Sequence, residues 1–335
     1  MKKMLLFILI VAVSMSAWAG GGGQSAPASP SKTYTLTLGT HLPASSSIVQ
    51  SFEFFVKEVK EKSNGRITVN LSSGGALGSQ REIVEAVNLG TVEMVMGEGA
   101  AYANFVPAFG MLSLPFLYTS EKQFFEVMDG KIGQKLEAEL SAKTNLVVFS
   151  RLYTGMRDVY STKPMTSLDS LRGLKIRTPE SNVYVGGFRA LGANPTAIAA
   201  TEMYTALQQG VVDAMEGIPD TAYNYKIYEV GKNCLETGHI FNEASLAINK
   251  PLFNSMPADL QKVILDAGIA LQTMQRNMII DANKNFKAML IKEGMVYAPI
   301  DVARATAIAA DFHKTYIGND RLMQELYAMI LALPK

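Results

Sequence analysis

The sequence predicts an α/β protein made of two related lobes, and three observations carry that reading. Strand-like and helix-like periodicities alternate from Tyr34 onward in the order strand, helix, strand, helix, strand, which implies a mostly parallel sheet with right-handed crossovers. One unit then occurs twice: Glu82–Gly97 (EIVEAVNLGTVEMVMG) overlays Glu202–Gly217 (EMYTALQQGVVDAMEG) without a gap. Glu82/Glu202, Ala86/Ala206, Gly90/Gly210, Val92/Val212 and Gly97/Gly217 are identical, and Glu93/Asp213 keep their acidity. Each copy reads as a helix, a Gly at the position after its end where φ is positive, and an apolar strand. Finally, 335 residues are enough for about two domains with sizeable cores.

In chain order, Tyr34, Leu36 and Leu38 alternate on a first strand that His41-Leu42-Pro43 ends. Ser45–Ser47 caps a helix whose apolar positions are Ile48, Phe52, Phe55, Val56 and Val59, with Glu53/Lys57 and Glu58/Lys62 paired at i,i+4. Asn64-Gly65 turns the chain into a second strand over Arg66–Leu71, and Gly74–Gly78 is a loop before the first repeat copy. Ala100–Leu117 is apolar and aromatic, broken by Pro107 and Pro115. Helices are expected over Glu121–Met128 and Gly133–Ser141, and a strand over Leu146–Ser150. Gly155-Met156-Arg157-Asp158 crosses into the second lobe, where Ser167-Leu168-Asp169 precedes the strand LKIRT. Two helices, the strand VVDAM turning at Glu216–Gly217, a helix over Tyr223–Asn233 and a short strand at Leu246–Ile248 follow. A long helical region, 257–292, is capped by Ser255 or Asp259, and helices over Asp301–Tyr316 and Asp320–Leu333 close the chain. No linker divides two independent domains, so the chain crosses between lobes more than once.

Residues 1–19 read as a secretory signal peptide: Lys2 and Lys3, the apolar run Leu5–Val13, then the small-x-small site Ala17-Trp18-Ala19. Residues 20–31 form a flexible linker. An uncleaved anchor, with Gly20–Pro30 as tether, is the alternative. No Cys follows the apolar run, which disfavours a lipid-anchored protein. Without Lys2 and Lys3 the chain carries 29 Lys and Arg against 30 Asp and Glu, a balance that argues against nucleic acid or an anionic membrane as partner. Cys234 is alone, so no intramolecular disulfide forms even in an oxidising compartment. It is read as a semi-buried inert thiol, with pairing between chains as the alternative.

Arg177 ends the strand LKIRT, and ligands of open α/β sheets are held at that end. The rigid guanidinium fork matches a carboxylate, so the position suits capture of a small organic acid; a solvated arginine on an edge strand is the competing reading. His41, His239 and His313 are widely separated and lack HExxH spacing, and with one Cys no metal site is expected. Neither GxxxxGK[ST] nor GxSxG occurs, and Gly97-Glu98-Gly99 is only half of a dinucleotide fingerprint. With no nucleophile–base constellation and no cofactor motif, an enzyme is the poorer reading.

Several blocks resemble the DctP-type extracytoplasmic substrate-binding proteins of TRAP transporters. They are LGSQREIVEAVNLGTVEM, LPFLYTSEKQFFEVMDG, LRGLKIRTPESNVY…LGANPT…EMYTALQQGVVDAMEG, and MPADLQKVILDA, and they span nearly all the mature chain. The resemblance implies a two-lobed periplasmic-binding-protein-like fold (type II) with a long helix spanning both lobes. Lobe I would comprise 32–154 plus about 243–281, and lobe II 155–242 plus about 282–335. It further implies that Arg177 clamps a substrate carboxylate, that Arg157 assists it, and that Glu98 and His41 face the cleft from the first lobe. A turn residue satisfied by local backbone is the alternative for His41. Glu216 and Gly217 lie at the second copy's strand end, and Tyr204 and Tyr184 are candidate wall residues unless they pack in the core.

Two departures from the family's pattern bear on the ligand. Gly217 stands where the family commonly has an Asn, and Ala199-Ala200 where an aromatic often precedes the helix. Both are expected to widen the pocket, toward a monocarboxylate or a more apolar acid bulkier than a C4-dicarboxylate. The resemblance implies a periplasmic protein, without cofactor or covalent step, whose lobes close by hinge bending over the acid and deliver it to a small and a large membrane subunit. A sensor that signals through a receptor is the runner-up, a periplasmic enzyme on the same scaffold the third reading, and docking of an auxiliary periplasmic helical-repeat protein a further alternative.

Overall fold

The structure is a computed structural model and describes residues 32–334. The signal peptide and linker expected over 1–31 lie outside the described residues. From the N-terminus the chain forms β1 (Tyr34–Gly39), α1 (Ser47–Lys62), β2 (Ile67–Ser72), α2 (Gln80–Leu89) and β3 (Met94–Gly97). The short α3 (Gly99–Tyr102), then α4 (Glu121–Asp129) and α5 (Lys131–Lys143), lead into the long strand β4 (Leu146–Ser161). A second series follows: β5 (Lys175–Thr178), α6 (Asn182–Ala190), β6 (Asn194–Ala197), α7 (Met203–Gln208) and β7 (Ala214–Gly217). After α8 (Pro219–Asn224) and α9 (Ile227–Val230) comes a second long strand, β8 (Asn233–Asn249). The chain ends with α10 (Lys250–Ser255), α11 (Ala258–Lys292), β9 (Val296–Pro299), α12 (Val302–Ile317) and α13 (Arg321–Leu331).

All nine strands form one sheet of order β2-β1-β3-β8-β4-β7-β5-β6, with β9 also on β8. β1 pairs parallel with β2 and β3, and β5 pairs parallel with β6 and β7, so the two trios have the same order. The duplication is therefore larger than the sixteen residues that reveal it: strand, helix, strand, helix, strand is repeated as a whole. Both copies turn on a left-handed glycine, Gly90 at φ 81° and Gly210 at φ 70°, where a side chain would be strained.

The trios hang on opposite ends of the antiparallel pair β4–β8. β3 pairs with Ser245–Ile248 of β8, and β7 with Asp158–Ser161 of β4. Between them the β4–β8 register slips at Val148/Ser150, Tyr153/Gly155 and Arg157/Val159. Gly155 sits at φ 129°, and a Cβ there would lie 2.6 Å from Asn283 Nδ2 of α11, so the crossing requires glycine.

These two strands correct the sequence reading. Leu146–Ser150 and Leu246–Ile248 are only the ends of strands of 16 and 17 residues, and the helix expected over Tyr223–Asn233 stops at Val230 where β8 is about to begin. β8 is buried along nearly its whole length, including Asn242, Glu243 and Ser245, so it shows no apolar–polar alternation. β6 and β9 also escape the pattern; β6 carries Pro195, tolerated because β6 is an edge strand.

α11, 35 residues and about 52 Å long, lies along α1, β4 and α8 and buries Leu260, Ile264, Leu271 and Ile279. Neither expected cap serves it. Ser255 Oγ donates to Leu252 O, Asp259 pairs with Arg66, and Pro257 occupies the cap position. Gln275, fully buried in the middle of α11, brackets Tyr153 through its N–H and C=O. α13 packs back on the first series: Gln123 Nε2 donates to Ile330 O, and Lys135 pairs with Glu325. The last helix thus packs on the first series. Its Met323, Leu326 and Ile330 join the core under the first trio. Cys234 is fully buried on β8, which removes the pairing-between-chains alternative for the folded chain.

Candidate functional site

The strand ends of both trios converge on one cavity. It is lined by His41 after β1, Glu98 after β3, Arg157 on β4 and Arg177 on β5, with Gln80 and Arg81 opening α2. Pro179, Glu180, Ala199-Ala200, Thr221 and Tyr225 line it from the second series. The cavity has a volume of about 50 Å³, room for a few waters, and is partly open to solvent.

The two arginines differ in one decisive respect. Arg157, 6% exposed, is gripped by the carboxylate of Glu216 on the neighbouring strand: Nε pairs with Oε2, and Nη2 donates to Oε1 at 2.6 Å. Register Val159↔Glu216 between β4 and β7 sets this two-point pair. His239 Nε2 lies 3.3 Å from Glu216 Oε2, while its Nδ1 is 2.7 Å from Thr237 Oγ1. Burial depresses the His239 pKa, against the pull of Glu216, so the ring is neutral at pH 7, donating from Nε2 and accepting from Thr237 at Nδ1. Burial opposes the charge on Glu216, but Arg157 and His239 outweigh it and hold its pKa at about 2. Burial opposes the Arg157 charge too, and Glu216 more than offsets that.

Arg177, 4% exposed, has no such partner. Its Nε donates to Ile198 O at 2.8 Å, and no carboxylate among the described residues reaches ion-pair distance. Burial pushes its pKa below the usual arginine range, with Glu216 pulling upward and Arg157 adding repulsion. A buried guanidinium without a counter-charge is costly, and a carboxylate brought by a ligand relieves that cost.

The opposite wall is polar in a different way. His41 is 6% exposed, and burial, with Arg177 and Arg157 nearby, lowers its pKa to about 4 against the attraction of Glu98. The neutral ring leaves Nδ1 buried without a hydrogen-bond partner, as is Gln80 Nε2. Glu98 Oε1 accepts from Asn242 Nδ2 at 3.1 Å. Behind it Glu243, buried and repelled by Glu98, has its pKa raised to about 8. His41 O accepts from Tyr225 OH at 2.9 Å, a side chain far along the chain and not local backbone.

The cavity thus brings together Arg177, Arg157, Glu98 and His41 from the sequence reading. Glu216 is wholly buried behind Arg157 and does not line the chamber. Tyr204 is turned outward, its OH donating to Glu229 at 3.0 Å, and Tyr184 is buried beneath Arg157 with its ring centroid 5.1 Å from Cζ. Gly217 is absent from the lining; a Cβ there would meet Met215 Cε at 3.1 Å and Thr221 Cγ2 at 3.6 Å. Ala199-Ala200, the other departure from the family's pattern, do line the chamber. Gln80 and Tyr225 were missed; the Ser79-x-x-Glu82 capping box marks where α2 starts, but not that its first residue faces a ligand chamber. Among the described residues no cluster of three or more His, Cys, Asp or Glu could hold a metal, and no helix is long and apolar enough to cross a membrane.

Residues 38–319 match the family model described as bacterial extracellular solute-binding protein, family 7. A solute-binding protein of Verminephrobacter eiseniae is 33% identical over 272 residues, covering 79% of this chain and 81% of that one. Among solved structures, a TRAP periplasmic solute-binding protein of Polaromonas sp. JS666 bound to D-erythronate is 29% identical with a TM-score of 0.86, over 91% of this chain and all of that one. Another, of Xanthobacter autotrophicus Py2 with bound β-D-galacturonate, is 25% identical with a TM-score of 0.85, over 89% of this chain and all of that one. These are binding proteins rather than enzymes, and their fold is the two-lobed α/β architecture built here from two strand–helix trios. The chain belongs to the DctP-type family of TRAP extracytoplasmic solute-binding proteins.

Proposed function

We propose that this protein captures a hydroxylated monocarboxylate in the periplasm and hands it to the membrane subunits of a TRAP transporter. The observation that carries the reading is the buried, uncompensated guanidinium of Arg177 facing the chamber. One ligand carboxylate satisfies it; a second acid group would have to lie near Glu98 or in the reach of Arg157, whose charge Glu216 already balances. The unpartnered His41 Nδ1 and Gln80 Nε2, with the Glu98 carboxylate beside them, suit hydroxyl groups on the ligand's far end better than a wholly apolar tail. Relatives that hold D-erythronate and galacturonate are consistent with this class.

In this reading lobe I is 32–154 with about 243–281, and lobe II takes most of the rest, the boundary falling where Gly155 pairs with Asn242. The lobes close over the acid by bending at that crossing. Isothermal titration with D-erythronate, D-galacturonate, a C4-dicarboxylate and an unsubstituted fatty acid tests it. Binding of a hydroxy acid by wild type and its loss in Arg177→Ala supports the proposal. Preference for the dicarboxylate or the fatty acid overturns the ligand class.

A further inference from the structure

A hydrogen-bonded latch joins the two lobes outside the ligand chamber. α1 belongs to the first series and α8 to the second, yet Asp220 of α8 caps α1. Its Oδ2 accepts from Ser47 N at 2.9 Å and from Ser47 Oγ at 2.5 Å, with Asp220 1% and Ser47 5% exposed. The helix's own cap, Ser46, serves only Ile48 N, so one of the orphan amides of α1's first turn finds its acceptor on the other lobe. Asp220 Oδ1 takes a third donor from Asn224 of its own helix at 3.1 Å. Asn283 of α11 braces the arrangement, its Oδ1 3.4 Å from Asp220 N and its Nδ2 donating to Thr154 O beside the Gly155 crossing.

We infer that Asp220 is a positioning residue that holds the lobes closed and thereby sets how long ligand is retained. This rests on the two-lobe capture reading. Two of the three donors to the buried carboxylate, the Ser47 amide and hydroxyl, come from the other lobe, so separating the lobes strips them together. Hydrogen bonds this short and aligned do not survive displacements of an ångström. Neither Ser47 nor Asp220 lines the chamber, so the latch acts on the closed fraction and not on ligand contacts. Because apparent affinity scales with that fraction, weakening the latch lowers affinity for every ligand by one common factor.

The test is the distance between spin labels at Glu53→Cys on α1 and Gln209→Cys beside α7, both on exposed positions, with buried Cys234 left unlabelled. In ligand-free protein, Asp220→Ala should lengthen the distance distribution relative to the unsubstituted latch. Affinities for D-erythronate and D-galacturonate should fall by the same factor, about tenfold, through faster dissociation. Ser47→Ala, which removes only the hydroxyl donor, should shift both readouts less and in the same direction, and should add nothing to Asp220→Ala. Thermal melts establish that each variant is folded; if Asp220→Ala is not, Ser47→Ala carries the test. An unchanged ligand-free distribution in the folded variants overturns the latch, and the pair is then a rigid pivot. The capture reading fails separately, and the latch with it, if labels in the unsubstituted protein do not approach on adding an acid that calorimetry shows to bind.

Discussion

Arg157 and Arg177 stand one strand apart from β7, face one chamber and are buried to the same degree, yet their electrostatic situations are opposite. Arg157 is bound by Glu216, itself held by neutral His239, so its charge was neutralised by folding. Arg177 has only the carbonyl of Ile198. Folding alone therefore makes one arginine part of the core and leaves the other waiting on chemistry from outside. The lesson is that two arginines can share a chamber and a degree of burial and still differ in whether folding supplies a counter-charge; on the function proposed above, that difference singles out Arg177 for the ligand.

The largest effect should come from breaking the satisfied side of this comparison. Glu216→Ala leaves Arg157 buried without a partner and should cost about 3–5 kcal/mol in equilibrium urea unfolding. Because the folded pKa of Glu216 is depressed to about 2, its contribution is present above its unfolded value and is lost as pH falls from about 4.5 toward 2. A variant that unfolds with wild-type midpoint would mean that the pair stabilises nothing.

The next effect sharpens the comparison on the far wall. His41 has a folded pKa of about 4 against 6.5, so below pH 6.5 the unfolded chain binds a proton that the folded chain does not. Stability thus falls with decreasing pH through this window, by roughly 3 kcal/mol for the full shift. Glu243, with its pKa raised to about 8, works in the opposite sense, favouring the folded state as pH falls from 8 toward 4.5. The difference between wild type and His41→Asn isolates the histidine: the variant should gain on wild type steadily from pH 7 to pH 4. A constant difference would show that the ring is solvated.

Gln80→Ala should weaken binding of a hydroxylated acid by about fivefold to tenfold, one hydrogen bond's share, while leaving stability near wild type. Binding that is unchanged would remove Gln80 from the ligand wall. The smallest effect is expected at Tyr204→Phe. Its hydroxyl reaches only Glu229 on the outer surface, so stability should change by less than about 0.5 kcal/mol and affinity not at all.

What could be read from the sequence follows the same division between local and distant causes. The helix–Gly–strand repeat was legible because its left-handed glycines, Gly90 and Gly210, leave a mark at fixed spacing. Arg177 could be placed at the chamber because strand ends are where parallel sheets present residues, whereas Glu98 and His41 were placed there by the family resemblance. The centres of β4 and β8 were not. Their polar residues, among them Arg157, Asn242 and Glu243, are buried against partners 59 to 144 residues away, which no periodicity announces. Glu216 was expected at the ligand for the same reason: its carboxylate has a function near the chamber, but the arginine that claims it lies 59 residues earlier in the chain. Thr221, which lines the chamber beside Gly217, likewise belongs to a later helix that the missing Asn does not announce.

The most direct measurement pairs unfolding with binding in a single variant, Arg177→Met. Replacing a buried, unpaired charge by an apolar side chain of similar length should leave the ligand-free protein as stable as wild type or more so. The same variant should lose at least about a hundredfold in affinity for the acid that wild type binds. A ligand-free protein several kcal/mol less stable, still binding its acid, would contradict the account: Arg177 would then be a structural residue like Arg157, and the carboxylate would be held elsewhere.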